Sequence, residues 1–141
     1  MQTASHNYLF VYGTLRTGGR GAHLVSKYGH KKADAKVKGL LYDIGDFPAF
    51  IHHEDAIVYG ELIQLRPNVT LEEIDEYEGV DKMHPHDGLY RRDKITAVLM
   101  NNETVEAWIY VWNQSVKGLK MIENGDYLAY LKLKSAHRLI R

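Results

Sequence analysis

Two segments of the chain bring together residue types that can do chemistry. The first is Tyr12-Gly13-Thr14-Leu15-Arg16, where an apolar run gives way to a stretch carrying Gly13, Gly18, Gly19 and Gly21. Backbone N–H groups left free at such a turn can bind a small anion such as a carboxylate. The same spacing also serves a purely structural turn. The second segment ends at Glu78. If Leu71 to Glu78 is helical, Leu71, Ile74 and Glu78 fall at about 0°, 300° and 340° on a wheel of 100° per residue, so the glutamate shares the apolar stripe. Glu72, Glu73 and Glu76 project elsewhere as ordinary solvated charges. An inward carboxylate loses hydration, and in the last helical turn it also meets the negative end of the helix dipole. Both effects raise its pKa toward the range in which a general acid/base works. The competing readings are fraying of the helix end to water, or an ion pair with Arg91 or Arg92.

Other chemistries find less support. The glycines do not fit G-x-G-x-x-G, and no Gly-Lys-Ser/Thr closes a P-loop, which argues against a nucleotide site. No G-x-S-x-G elbow surrounds Ser5, Ser26, Ser115 or Ser135. His52-His53 and His84-x-His86 lack a third ligand at fixed spacing, so solvated histidines are expected, with no metal and no cofactor. The chain contains no cysteine, which removes thiol nucleophiles, thiolate metal sites and disulfides together. Any catalysis must use oxygen or nitrogen groups.

Eighteen Lys and Arg balance 18 Asp and Glu, so no global field draws nucleic acid or an anionic membrane surface. With 141 residues, 45% of them hydrophobic and only 3 proline, residues 1–141 are expected to form one globular domain. The segment Met1 to Asn7 has no basic start leading into an apolar run, and no apolar stretch approaches the ~20 residues that span a bilayer; a cytoplasmic location is expected. Ten Tyr against 3 Phe and 2 Trp is a skew toward the aromatic that carries a hydroxyl.

The elements that must position these groups follow from pattern. Tyr8 to Tyr12 reads as a buried strand, Ala22 to Tyr28 as a short helix and Lys36 to Tyr42 as a strand ending at Asp43-Ile44-Gly45-Asp46. Phe47 to Ile51 is extended, and Ala56 to Leu65 is a further strand. Thr70 followed by Glu73 matches a capping box opening the helix Leu71 to Glu78, with Gly79 as its stop. Tyr90 to Met100 and Thr104 to Trp112 flank Asn101-Asn102-Glu103 as a hairpin. The tail from Leu119 to Ile140 is mostly helical or irregular. Strands interrupted by two or three helices, without regular alternation, favour a mixed sheet or barrel of the α+β class over a parallel doubly wound sheet.

Taken in order, Tyr12-Gly13-Thr14-Leu15-Arg16, Gly45-Asp46-Phe47-Pro48-Ala49, Tyr59-Gly60-Glu61-Leu62, Ile74-Asp75-Glu76-Tyr77-Glu78-Gly79, Tyr90-Arg91-Arg92, Trp108-Ile109-Tyr110 and Gly125-Asp126-Tyr127 resemble the gamma-glutamylcyclotransferase-like family over most of the chain. The resemblance implies a small mixed β-barrel with flanking helices and a cavity at its mouth. Enzymes of that family release 5-oxoproline from a γ-glutamyl amide, the substrate's own α-amine attacking its γ-carbonyl. By the resemblance Glu78 is the acid/base, Tyr12, Gly13, Thr14 and Leu15, with Arg16, form the loop that holds the glutamyl α-carboxylate and amine, Tyr110 lines the cavity, and Tyr90 and Arg91 belong to its substrate-side motif. Phe47 departs from the pattern, standing where a tyrosine is frequent. Glu61 is the runner-up carboxylate, expected as a structural partner on a strand.

Such a reaction suits a chain without thiols. Its nucleophile and electrophile are tethered in one molecule, so proximity is built into the substrate and no covalent enzyme nucleophile is required. A base must unmask the α-amine, and the tetrahedral oxyanion needs donors, for which loop N–H groups or a tyrosine hydroxyl are candidates. The expectation is a γ-glutamyl cyclotransferase acting on a small γ-glutamyl amine or amino-acid derivative. The alternative is a non-catalytic module that uses the same cavity to hold a small molecule or a peptide end. The segment His84 to Leu89 and the C-terminal tail are expected to wall the leaving-group side. A monomer or weak homodimer is expected, with no nucleic-acid or membrane partner.

Overall fold

The computed structural model describes residues 7–78 and 88–140. Its first strand, β1 (Tyr8–Val11), is apolar at every position because it is covered on both faces. Leu9 and Val11 enter one core; Phe10 and the following Tyr12 enter another. Next come a 3₁₀ turn (Ala22–Leu24), α1 (Val25–Tyr28), β2 (Gly29–Lys38), β3 (Leu40–Asp43), β4 (Pro48–Ile51) and β5 (Ile57–Leu65). The second half holds α2 (Leu71–Glu78), β6 (Tyr90–Leu99), β7 (Thr104–Trp112), β8 (Lys120–Ile122) and α3 (Tyr127–Ile140).

Five strands close a barrel in the order β1-β5-β2-β6-β7, and a separate three-stranded sheet runs β4-β3-β8. Every barrel pairing is antiparallel except the closing one, where β1 lies parallel to β7 through Leu9 and Trp108. The expected α+β barrel with flanking helices is therefore the observed fold. One core, around Phe10, Val37, Leu41, Phe50, Val58, Leu62, Ile109 and Ile122, joins the barrel to the small sheet and α3. The other, around Leu9, Val11, Ile63, Ile74, Tyr90 and Tyr110, is shared with α2.

Helix α2 occupies the expected residues, and the Glu73 N–H donates to Thr70 Oγ1 at 3.4 Å, one half of the capping box. The β6–β7 hairpin also forms, with Asn102 at φ 70° inside the turn, a conformation asparagine tolerates better than most residues. Three expectations change. The strand expected over Lys36 to Tyr42 is two strands in two sheets, parted at Gly39. There a β-carbon would fall 2.2 Å from the Phe50 ring, so only glycine lets the chain bend over that ring and leave the barrel. The first half of β2 escaped notice because His30, Lys31 and Lys32 are exposed and leave no apolar alternation. Ala22 to Tyr28 is a 3₁₀ turn followed by a single α-turn, and the tail contains β8, whose three residues bury Ile122 alone.

Candidate active site

The end of β1, the glycine loop, β4, the end of α2 and the start of β6 converge on a cavity of about 340 Å³. Tyr12, Gly13, Thr14 and Leu15 form one wall, Phe47, Pro48 and Leu89 another, and Glu78, Tyr90 and Tyr110 a third. Five segments far apart in the chain thus supply one concave surface, the arrangement expected of a small-molecule site.

The loop is shaped by hydrogen bonds within its own backbone. Arg16 N donates to Gly13 O (3.1 Å), Gly19 N to Arg16 O (2.7 Å) and Gly21 N to Thr14 O (2.8 Å). Gly19 is required by this closeness, since a β-carbon there would stand 2.4 Å from Thr14 O. Glu61, 4% exposed on β5, clamps the loop from below. Both of its carboxylate oxygens accept from Thr17 N at 3.0 Å, and Oε1 also accepts from Thr17 Oγ1 at 3.0 Å. This is the structural role expected of the runner-up carboxylate. The N–H groups of Gly13, Thr14 and Leu15 donate to no acceptor among the described residues, so they can receive an anion.

Glu78 faces this loop from the last residue of α2. No cation or hydrogen-bond donor meets its carboxyl group among the described residues, and burial pushes its pKa up to about 7. Arg92, a competing partner on sequence grounds, is held by Asp75 instead, with Nη1 2.7 Å from Oδ2. Asp75 is 4% exposed and also accepts the Tyr110 hydroxyl at 2.7 Å. The sequence reading missed Asp75, although the wheel that singled out Glu78 puts it at about 40°, on the same stripe.

Three tyrosines surround the carboxylate. Burial above all, with the negative charge of Glu78 adding to it, holds the Tyr12, Tyr90 and Tyr110 hydroxyls well above their ordinary pKa, so all three stay protonated at neutral pH. Each proton is already committed: Tyr12 donates to Tyr110 O (2.5 Å), Tyr90 to Pro48 O (2.8 Å) and Tyr110 to Asp75 Oδ1 (2.7 Å). Their oxygens can accept from an ammonium group but have no free proton for an oxyanion. Of the two donor types considered from the sequence, the loop N–H groups are the available ones.

Two expected site residues do not line the cavity. Arg16 turns back beneath the loop, its Nη1 2.9 Å from Asp126 Oδ1 and its Nε 3.9 Å from Glu61. Arg91 follows inward-facing Tyr90 on a strand whose side chains alternate, so it is exposed, its Nη1 3.5 Å from Asn113 Oδ1. Phe47, the expected departure from the pattern, lines the cavity with a ring that carries no hydroxyl. Of the expected leaving-group wall, Leu89 lines the cavity and the described residues of the C-terminal tail do not, because they pack on the core shared by the barrel and the small sheet; His84 and His86 lie outside the described residues. His52 Nε2 stands 3.0 Å from Asp93 Oδ2 at the surface.

The chain is similar to known proteins along most of its length. The family model described as gamma-glutamyl cyclotransferase, AIG2-like, matches residues 9–129. A Methanocaldococcus jannaschii protein is 32% identical over 126 residues, covering 87% of this chain and 97% of its own. The gamma-glutamylcyclotransferase family protein YtfP of Escherichia coli K12 is 31% identical over 121 residues, covering 85% and 95%. Among solved structures, an AIG2-like protein from Mus musculus superposes with a TM-score of 0.70 at 17% identity, covering 88% of this chain and 89% of its own.

Proposed function

Because the chain belongs to the gamma-glutamyl cyclotransferase, AIG2-like family, we propose that it is a cytoplasmic cyclotransferase releasing 5-oxoproline from a small γ-glutamyl amine or amino-acid derivative, with Glu78 as the general acid/base. The observation that carries this reading is a buried carboxylate of pKa about 7 lining the same cavity as Gly13, Thr14 and Leu15, with no partner for the carboxylate or for their N–H groups among the described residues. A base of that pKa is about half ionised at neutral pH and can both take up and return a proton there.

In the proposed reaction the glutamyl α-carboxylate is held by the N–H groups of Gly13, Thr14 and Leu15, and the α-ammonium donates to tyrosine oxygens and Glu78. Glu78 takes one ammonium proton, and the freed nitrogen lone pair attacks the γ-carbonyl carbon of the same molecule. The new C–N bond closes a five-membered ring and leaves a tetrahedral oxyanion. As the oxyanion collapses, the bond to the leaving nitrogen breaks and the proton held by Glu78 passes to that nitrogen; the ring nitrogen, left with two protons by the attack, gives one back to Glu78, which passes it to the departing amine. The products are 5-oxoproline and the amine as its ammonium ion. No atom of the protein becomes bonded to the substrate, which suits a site without a nucleophile. The apolar wall of Phe47, Pro48 and Leu89 shields the ring closure from water.

The test is 5-oxoproline release from a panel of γ-glutamyl amides by the wild type and Glu78→Gln. Release by the wild type is expected, with kcat/KM falling on acidification through an apparent pKa near 7. The variant should be slower by at least 10²-fold, the usual scale for losing a general acid/base. Full activity in the variant would overturn the role of Glu78. Silence from both proteins would overturn the enzymatic reading in favour of a binding module.

A further inference from the structure

Asp75 takes no part in the reaction above, yet both of its oxygens are engaged in the interior. Oδ1 accepts from Tyr110, a cavity wall, and Oδ2 accepts from Arg92, whose guanidinium lies 4.9 Å from the centre of the Trp108 ring. Asp75 stands three residues before Glu78 on α2, so the two side chains are neighbours on one helix face. We infer that Asp75 and Arg92 are a positioning pair for Glu78: together they fix the helix face from which Glu78 enters the cavity, turn the Tyr110 proton away from the substrate, and keep a guanidinium from neutralising the base. The inference rests on the reading of Glu78 as the acid/base.

The electrostatic part follows from sign. Arg92, Asp75 and Glu78 all act on the Tyr110 hydroxyl; Arg92 without Asp75 would be an uncompensated cation there, favouring the ionised glutamate, and Asp75 without Arg92 a like charge one turn away, favouring the protonated one. With both present the two charges are paired to each other at 2.7 Å, and burial is the cause acting on Glu78. The titratable groups facing it from the packed strands are Tyr12 after β1, Tyr90 on β6 and Tyr110 on β7, all neutral phenols. Arg91 is turned outward to Asn113, and Glu76 on the same helix is exposed.

The experiment is a carbon-13 NMR titration of the Glu78 carboxyl group, run beside pH profiles of kcat/KM. Asp75→Asn should lower the Glu78 midpoint by about one pH unit, and Arg92→Leu should raise it by about one, the scale for a single charge at helix-neighbour distance in a partly buried site. The double variant should return to within a few tenths of a unit of the wild type, because the two effects offset. Arg92→Lys, which keeps the charge, should leave the midpoint in place. A purely structural pair would lower activity without moving the midpoint, so an unmoved midpoint in Asp75→Asn or Arg92→Leu, or shifts of the same sign in both, overturns the inference. The titration needs no turnover. Absence of 5-oxoproline release would overturn the enzymatic reading while the opposed shifts still decide the pair.

Discussion

Glu78 is held in the folded protein at a thermodynamic cost. Its pKa of about 7 exceeds the usual 4.5, so the fold favours the protonated form. Between those values the native state binds a proton that the unfolded chain has released, and stability falls as pH rises from about 4.5 to about 7. The gap corresponds to about 3 kcal/mol once Glu78 is fully ionised. Glu78→Gln is therefore expected to be more stable than the wild type at pH 8, by up to about 3 kcal/mol, and no more stable at pH 4; urea denaturation at the two pH values checks this. Equal stability at pH 8 would mean that the carboxylate is hydrated. The position of Glu78 was legible because a helical wheel is periodic, and the capping box fixed its start. Its freedom from Arg92 was not legible. That depends on Asp75 reaching a strand 17 residues on, and on Tyr110 35 residues on, and pairings across strands leave no period in the chain.

At the scale of elements, the glycine loop is shaped by what lies behind it. Glycine spacing made the turn legible, whereas the destination of Arg16 was not, because Asp126 lies 110 residues away. The small sheet escaped for a related reason: β3 and β4 are four residues each and β8 is three, too short for alternation to declare itself. The clamp on the loop gives a prediction. Glu61→Gln replaces a carboxylate that takes three hydrogen bonds from Thr17 and stands 3.9 Å from Arg16 and 4.0 Å from Lys31. It should cost about 1–3 kcal/mol, the scale for a weakened buried charge-assisted network. KM for a γ-glutamyl substrate should rise while the acid limb of the pH profile stays near 7, since Glu78 is untouched. Denaturant midpoints and steady-state kinetics on the same preparation check both parts, and a displaced limb would count against a purely supporting role for Glu61.

The whole molecule is a barrel whose first strand is also its seam. Composition and the mixture of strands and helices indicated the class, but not that β1 would lie between β5 and β7, since no local pattern specifies a pairing across so much chain. The Tyr12 hydroxyl meets the Tyr110 carbonyl across 98 residues. Such non-local closure predicts slow folding, on a scale of milliseconds to seconds. Refolding followed by tryptophan fluorescence, with both indoles on β7, should show it; full amplitude within microseconds would contradict it. The seam also has a consequence during synthesis. Ribosomes add about 5–20 residues per second, so Tyr110 is joined about 5–20 s after Tyr12. Through that interval the nascent chain carries an apolar strand with both edges unpaired until β5 is made and one edge unpaired thereafter, and a loop with no cavity to face. The cavity is thus completed late, by the strand that closes the ring, and until then the newborn chain offers Tyr8 to Val11 to any chaperone or neighbouring polypeptide able to pair with it.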